Sequence, residues 1–249
     1  NSRKFTIIKC SKHMAQSGIH ALSSIFISKF FKYKRWSVPS FIFGAMLPDI
    51  DILISAIAFL LGTNIYDSIS IHQTFTHSIF TTIIIYFIFL SIGEITSKHK
   101  FKIIGRGICL GITLHIILDV FLWFEPISLL WPVQPYLIPP TDIWKNIILD
   151  NEQFIKKLLL AFEFIFFRVY GWILINKTIQ TSNAQSFSWF IKYISKWIKI
   201  EFTLFLIFIL LIYLNIDINT YIIFFATMYI PSLIMALIST YILRDVFND

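Results

Sequence analysis

The chain has 249 residues, of which 57% are hydrophobic and only 14% are charged, and its formal net charge is +7. Soluble domains carry roughly a quarter charged residues, so this composition excludes a soluble globular protein. It indicates an integral membrane protein whose positive charges face anionic lipid headgroups, and no nucleic-acid partner is expected.

The predicted elements of the N-terminal half alternate basic segments with apolar runs. Residues 1–13 form a basic tail, which we interpret as a cytoplasmic anchor in preference to a transit-peptide remnant. An amphipathic or partly inserted helix is predicted over about residues 14–31. Apolar spans follow over about residues 38–62, 78–93 and 103–124.

A connector rich in proline and tryptophan then separates these spans from the C-terminal ones, and it cannot be helical throughout. Further spans are predicted over about residues 155–177, 200–216 and 219–243. The predicted fold class is all-α, a polytopic transmembrane helical bundle of about six spans plus the N-terminal helix. The alternation of basic connectors places both termini in the cytoplasm.

Ionisable residues inside or beside the apolar runs are rare in membrane proteins, and they usually serve a function. Here they are imidazoles and carboxylates only: His20, Asp49, Asp51, His72, His77, His115 and Asp119. Such side chains are the ligands of zinc and manganese sites. The sequence "HIILD" puts His115 and Asp119 at i and i+4, on one helical face, where both can bind one metal ion.

Each motif also has a purely structural interpretation. A lone His20 is more often a histidine on a helix face than a ligand. Asp49 and Asp51 could form a polar helix break after Pro48, and the "HIILD" pair could be hydrogen-bonded and buried. His72 and His77 could belong to an interfacial loop. In the metal-site interpretation, Thr76 or Ser78 caps the next helix while both histidines reach a common centre, and Thr76 and Ser78 orient the imidazoles as outer-shell residues.

Between the basic segment 32–35 and Asp49, the stretch of residues 38–47 has ten residues, a helical rise of about 15 Å or half the hydrocarbon core. Asp49 can meet the histidines on the other side only if residues 38–47 form a half-helix, or if the number of crossings is smaller.

Five short motifs follow one another between about residues 14 and 135. They are His20, "GAMLPDID" at 44–51, His72 with "THS" at 76–78, His115 with Asp119, and "LLWP" at 129–132. Together they resemble the YdjM-like family of inner-membrane-associated metal-dependent hydrolases. One departure is Gln73, where the family is expected to favour a basic residue. The ligand order is also similar to that of zinc-dependent phospholipase C enzymes, which suggests a phosphoester substrate.

The resemblance implies a bacterial-type inner membrane protein with a hydrolase-like core over residues 14–135. The connector and helices of residues 136–249 are predicted to be scaffold. The expected cofactor is zinc, or alternatively manganese, as one or two ions, and the expected partners are membrane lipids and a lipid-like phosphoester. The predicted ligands are His20, Asp51, His72, His77, His115 and Asp119. Asp49 or Asp51 is the predicted general base.

Two other functions compete with hydrolysis. A proton or metal-ion transporter would use the same residues, but it needs polar groups that continue to both sides of the membrane. Beyond residue 155, Glu163 and Arg168 are the only charges well inside a predicted span, and they could pair. In a structural or assembly protein, the polar side chains would only form hydrogen bonds between helices.

Overall fold

The structure, a computed structural model, describes residues 16–30, 36–64, 75–122, 127–133, 137–138, 152–181 and 184–247. The predicted basic tail at residues 1–13, His72 and Gln73 lie outside the described residues. Within them the chain forms eight α-helices and one two-stranded antiparallel ladder, two residues on each side. The predicted all-α bundle is therefore confirmed.

The helices of the N-terminal half are α1 Ser17–Ser28, α2 Ser37–Met46, α3 Asp51–Leu60, α4 Ile79–Ile95 and α5 His99–Leu122. Two 3₁₀ turns, Pro48–Ile50 and Phe75–His77, precede α3 and α4. The strands are β1 Ile127–Ser128 and β2 Leu137–Ile138. The C-terminal half contains α6 Glu152–Gln180, α7 Ser188–Tyr213 and α8 Ile218–Ile242, with 3₁₀ turns at Ala184–Phe187 and Arg244–Phe247.

The expected number of about six spans is not confirmed. Among the described residues, three helices are individually long and apolar enough to cross a membrane, namely α5, α6 and α8. Counting α2 and α3 as one bent span gives four. Helix α4 is apolar but has only 17 residues. Helix α7 carries Lys192, Lys196 and Lys199 in its first half, which breaks its apolar run.

The break between α2 and α3 explains how Asp49 reaches the histidines. The two helices are bent by 44° across the turn that begins at Pro48, since proline has no backbone N–H with which to continue α2. Helix α2 has ten residues, a rise of about 15 Å. The expected half-helix is therefore present, and it ends just before the two aspartates.

Small residues let α2 pack closely along α5. A Cβ atom added at Gly44 or Gly111 would overlap backbone atoms of the facing helix. Ser40 and Gly44 on α2 are four residues apart, as are Gly107 and Gly111 on α5. This spacing lines small residues along one helix face, so that two backbones can approach. The approach brings the end of α2 to the part of α5 that carries His115.

Helices α6, α7 and α8 form the larger hydrophobic core together with α1 and α2. Glu163 on α6 is fully buried, and it accepts a hydrogen bond from the Gly18 backbone N–H of α1. Glu163 and Arg168, which the sequence allows to pair, have different partners. Arg168 donates to the Ile198 carbonyl at 2.9 Å, and its guanidinium lies 4.8 Å from the centre of the Phe202 ring.

Candidate metal centre

The described ionisable residues of the apolar runs converge on one buried centre. Helix α1 supplies His20, the turn after α2 supplies Asp49, and α3 begins with Asp51. His77 ends the turn before α4, and α5 contributes both members of "HIILD". All six side chains are buried, and the most exposed of them, Asp119, retains 8% of its accessible surface. Six of the seven predicted ligand and base residues are thus brought together, and the seventh, His72, lies outside the described residues.

Three ligand-type atoms lie within 3.6 Å of His115 Nε2. The Nε2 atoms of His77 and His115 lie 3.0 Å apart. Asp119 Oδ2 is 3.3 Å from the first and 3.2 Å from the second. Asp49 Oδ1 is 3.6 Å from His115 Nε2. Ligand atoms around a tetrahedral zinc ion, each about 2.0–2.1 Å from the metal, lie about 3.3 Å from one another, so the residues present fit such an ion.

The hydrogen bonds of the two imidazoles define where their protons lie. His115 Nδ1 is 2.7 Å from the Ala45 carbonyl oxygen, which can only accept, so Nδ1 carries the proton. The Thr76 hydroxyl donates its one proton to Asp51 Oδ2 at 2.5 Å. His77 Nδ1, 3.0 Å from that hydroxyl oxygen, must therefore donate to it. If both rings are neutral, the two Nε2 atoms present lone pairs to each other, and a proton or a metal ion between them would offset the repulsion.

His20 extends the centre on the far side of Asp119. Its Nε2 lies 3.0 Å from Asp119 Oδ1, yet within the described residues neither ring nitrogen forms a hydrogen bond of acceptable geometry. The ring stacks on that of His115, with centroids 3.8 Å apart. A buried imidazole without a well-formed hydrogen bond is costly, so the donor chemistry of these nitrogens fits a role as a metal ligand.

Two overlapping groups of side chains could therefore hold a metal ion. One is His20, His115 and Asp119, and the other is Asp49, His77 and His115; within each, the ligand atoms lie within 4.8 Å of one another. His115 belongs to both groups. Because its Nδ1 is bound to a backbone carbonyl, only its Nε2 is available to an ion.

Comparison with known families identifies the chain as a membrane protein. The family model described as YdjM inner membrane protein matches residues 14–243. The chain belongs to this YdjM family. Its inner membrane description agrees with the apolar helices found here. No curated protein and no solved structure matched the chain.

The YdjM match extends well beyond the motifs at residues 14–135, and it includes α8, which contacts the centre. Asp49 Oδ2 accepts a hydrogen bond from the Ser17 hydroxyl at 2.6 Å and from the Tyr229 hydroxyl of α8 at 3.4 Å. The Ser17 and Tyr229 hydroxyl oxygens are 2.6 Å apart. Neither residue was predicted, because 212 positions separate them and no local spacing links them. The functional division at residue 135 remains a prediction.

Thr76 and Ser78, the predicted outer-shell residues of the "THS" motif, have different contacts. Thr76 touches the His77 ring nitrogen, as described above. Ser78 caps α4 by accepting from the Phe80 N–H at 3.2 Å, as expected of a helix start. Its hydroxyl donates to the Trp131 carbonyl of the "LLWP" motif at 2.6 Å. In the part of the chain that the structure describes, Ser78 thus fastens this turn and contacts no imidazole.

Proposed function

We propose that this YdjM protein is a membrane-embedded metal-dependent hydrolase, and that its substrate class is a lipid phosphoester. The observation that carries the proposal is the pair of facing Nε2 atoms in His77 and His115, 3.0 Å apart with both Nδ1 protons directed away. A divalent cation offsets the lone-pair repulsion and the negative charge of the neighbouring carboxylates together.

We assign four ligands to one ion: His77, His115, Asp119 and Asp49. One ion is expected because His115 has a single available nitrogen, and the stoichiometry of bound metal tests this number. Imidazole and carboxylate donors suit zinc best, with manganese as the alternative. His20 would hydrogen-bond to Asp119, or bind directly if a second ion is present.

The bound ion would supply an activated water molecule and polarise a phosphoester oxygen. The protein's own groups would orient the reaction around it. Ser17 and Tyr229 donate to Asp49 Oδ2, while Oδ1 lies 3.6 Å from His115 Nε2. These contacts support a role for Asp49 as general base. Asp51 would act as a positioning residue, because it contacts His77 through the Thr76 hydroxyl.

Support for a lipid substrate comes from the turn around Trp131, whose carbonyl accepts a hydrogen bond from Ser78. Leu130, Trp131 and Val133 in this turn are exposed. Exposed aromatic and aliphatic side chains beside a polar centre suit a membrane–water interface, where tryptophan is enriched. An amphipathic substrate would present its phosphoester there while its acyl chains remain in the lipid.

The proposal is tested with purified protein that has been stripped by a chelator and reloaded with zinc or manganese. Release of the headgroup from phospholipid vesicles is measured for wild type, His77→Gln and the exposed control His99→Ala. We expect activity in wild type and His99→Ala, and none in His77→Gln or in stripped protein. Activity that survives both stripping and His77→Gln would refute metal-dependent hydrolysis.

Transport of protons or metal ions is a second candidate, because α6 and α7 contain buried acids. Glu163 and Glu201 are both fully buried. Glu201 accepts hydrogen bonds from the Ser232 hydroxyl at 2.6 Å and from the Trp197 indole N–H. Transport predicts proton or zinc flux into vesicles that is lost in Glu163→Gln and Glu201→Gln. Hydrolysis predicts no such flux, and activity close to wild type in Glu163→Gln.

The basic residues further support an orientation with both termini in the cytoplasm. A reporter fused after residue 249 would test it. We expect a signal from a cytoplasmic reporter such as a fluorescent protein and none from a periplasmic phosphatase; the reverse pattern would overturn the orientation.

A further inference from the structure

A cleft separate from the metal centre lies toward the N-terminal ends of α2 and α5. Its volume is about 180 Å³. Pro39 and Phe43 of α2, Ile108 of α5 and Tyr241 at the end of α8 contribute to its mostly apolar lining. A cavity of about 150 Å³ in a protein core admits a benzene molecule, so this cleft has room for a short run of methylene groups.

A positive charge is held at the edge of this apolar cleft. The Arg244 guanidinium lies 5.1 Å from the ring centre of Trp36 and 4.9 Å from that of Tyr241, and all three residues line the cleft. It donates one hydrogen bond to the Tyr241 carbonyl at 2.9 Å. Asp245, the adjacent acid, forms an ion pair with it at 4.0 Å. A guanidinium has five N–H donors, which suits it to contact a phosphate group.

We infer that this cleft binds one anionic phospholipid, with an acyl chain between α2, α5 and the end of α8 and with the lipid phosphate at Arg244. The lining matches hydrocarbon, and the guanidinium matches the charge of the headgroup. Arginine and tryptophan just outside a membrane-spanning helix are typical of the interface where headgroups lie.

The inference is independent of hydrolysis, and it is tested by lipid titration of delipidated protein in a neutral detergent. The unfolding temperature is followed as phosphatidylglycerol or phosphatidylcholine is added. The variant is Arg244→Gln. The matched control is Arg168→Gln, because Arg168 also lies over an aromatic ring and donates to a backbone carbonyl, but does not line the cleft.

We expect phosphatidylglycerol to raise the unfolding temperature saturably in wild type and in Arg168→Gln. Half-saturation should require at least about ten times more lipid in Arg244→Gln, the loss of one charge-assisted contact. An equal response to phosphatidylcholine, or an unchanged response in Arg244→Gln, would overturn the inference.

A second variant keeps the test decisive if Arg244→Gln does not fold. Phe43→Trp places a larger ring in the cleft and leaves every charge in place. We expect it to weaken the response to phosphatidylglycerol, because the acyl chain and the larger ring compete for the same space. A wild-type response in this variant would show that the lipid binds elsewhere.

Discussion

The Nε2 atoms of His77 and His115 lie 3.0 Å apart, although 38 positions separate the two residues in the chain. The Nδ1 atom of each ring has its own hydrogen-bond partner, which is the Thr76 hydroxyl for His77 and the Ala45 carbonyl for His115. Ligating histidines in metalloproteins are oriented in this way by an acceptor at their second nitrogen. A proton shared between the rings is the simpler occupant, so the predictions below separate a proton from a metal ion.

Asp49→Asn distinguishes the two roles open to Asp49. The amide keeps its size and can still accept from Ser17, but it has no charge and is a poor base. If Asp49 is a ligand, bound metal and hydrolysis both fall. If it is only the general base, metal is retained while kcat falls by about 10²–10⁴. Metal content and kcat, measured on the same preparation, distinguish the ligand role from the general-base role. Retention of both would exclude Asp49 from the centre.

Thr76→Val should weaken metal binding without removing a ligand. Valine has nearly the same shape, but it cannot connect Asp51 to the His77 ring. Loss of an outer-shell partner typically costs about 10–100-fold in metal affinity, and competition with a chelator measures that affinity. The control is Thr113→Val, since Thr113 is exposed on α5 and bonds only within its own helix turn. Equal affinities in the two variants would contradict the role of Thr76.

Gly111→Leu should separate α2 from α5 and so disrupt the metal centre, to which both helices contribute. The added side chain would overlap the backbone of α2. Overpacking of this kind typically costs about 1–3 kcal/mol. We expect a lower unfolding temperature together with loss of bound metal. Thr113→Leu, which adds the same side chain to an exposed position of α5, should retain both. Metal binding in Gly111→Leu at the wild-type level would show that the centre does not depend on this helix contact.

Tyr229→Phe tests whether α8 takes part in the centre. The variant loses the hydroxyl that contacts Ser17 and Asp49, at a cost of about 0.5–1.5 kcal/mol in stability. Tyr170→Phe is the control, because it also removes a buried hydrogen bond, from Tyr170 to Thr240. Both should lower the unfolding temperature, but only Tyr229→Phe should also lower metal affinity and kcat. If the two variants have the same kcat and affinity, α8 is scaffold, as the sequence predicts.

The sequence predicted site residues best where two of them are a short distance apart in one helix. The i, i+4 relation of His115 and Asp119 holds because a single helix carries both. The different orientations of Asp49 and Asp51 could not be predicted from their spacing in the sequence. A turn of three residues decides that Asp49 faces His115 while Asp51 lies behind Thr76.

Contacts between helices that are far apart in the chain left weaker signals in the sequence. Tyr229 reaches Asp49 across 180 positions, and no motif marks it. Glu201 was overlooked because it follows a basic segment, where an acid is expected to be solvated, whereas the structure buries it. The packing of α2 on α5 did leave a readable signal: Gly107 and Gly111 have the small-residue spacing of closely packed membrane helices. The number of spans is not confirmed, because hydropathy does not distinguish short or bent helices from complete crossings.

The central claim is that His115 binds a metal ion, and elemental analysis of purified protein tests it most directly. Wild type and His115→Ala are compared by mass spectrometry of metals per chain, on preparations with the same helical content. We predict one zinc or manganese ion per wild-type chain and almost none in His115→Ala. Wild type free of metal after purification with both ions supplied, or equal metal in His115→Ala, would contradict the account and leave a shared proton between the two histidines.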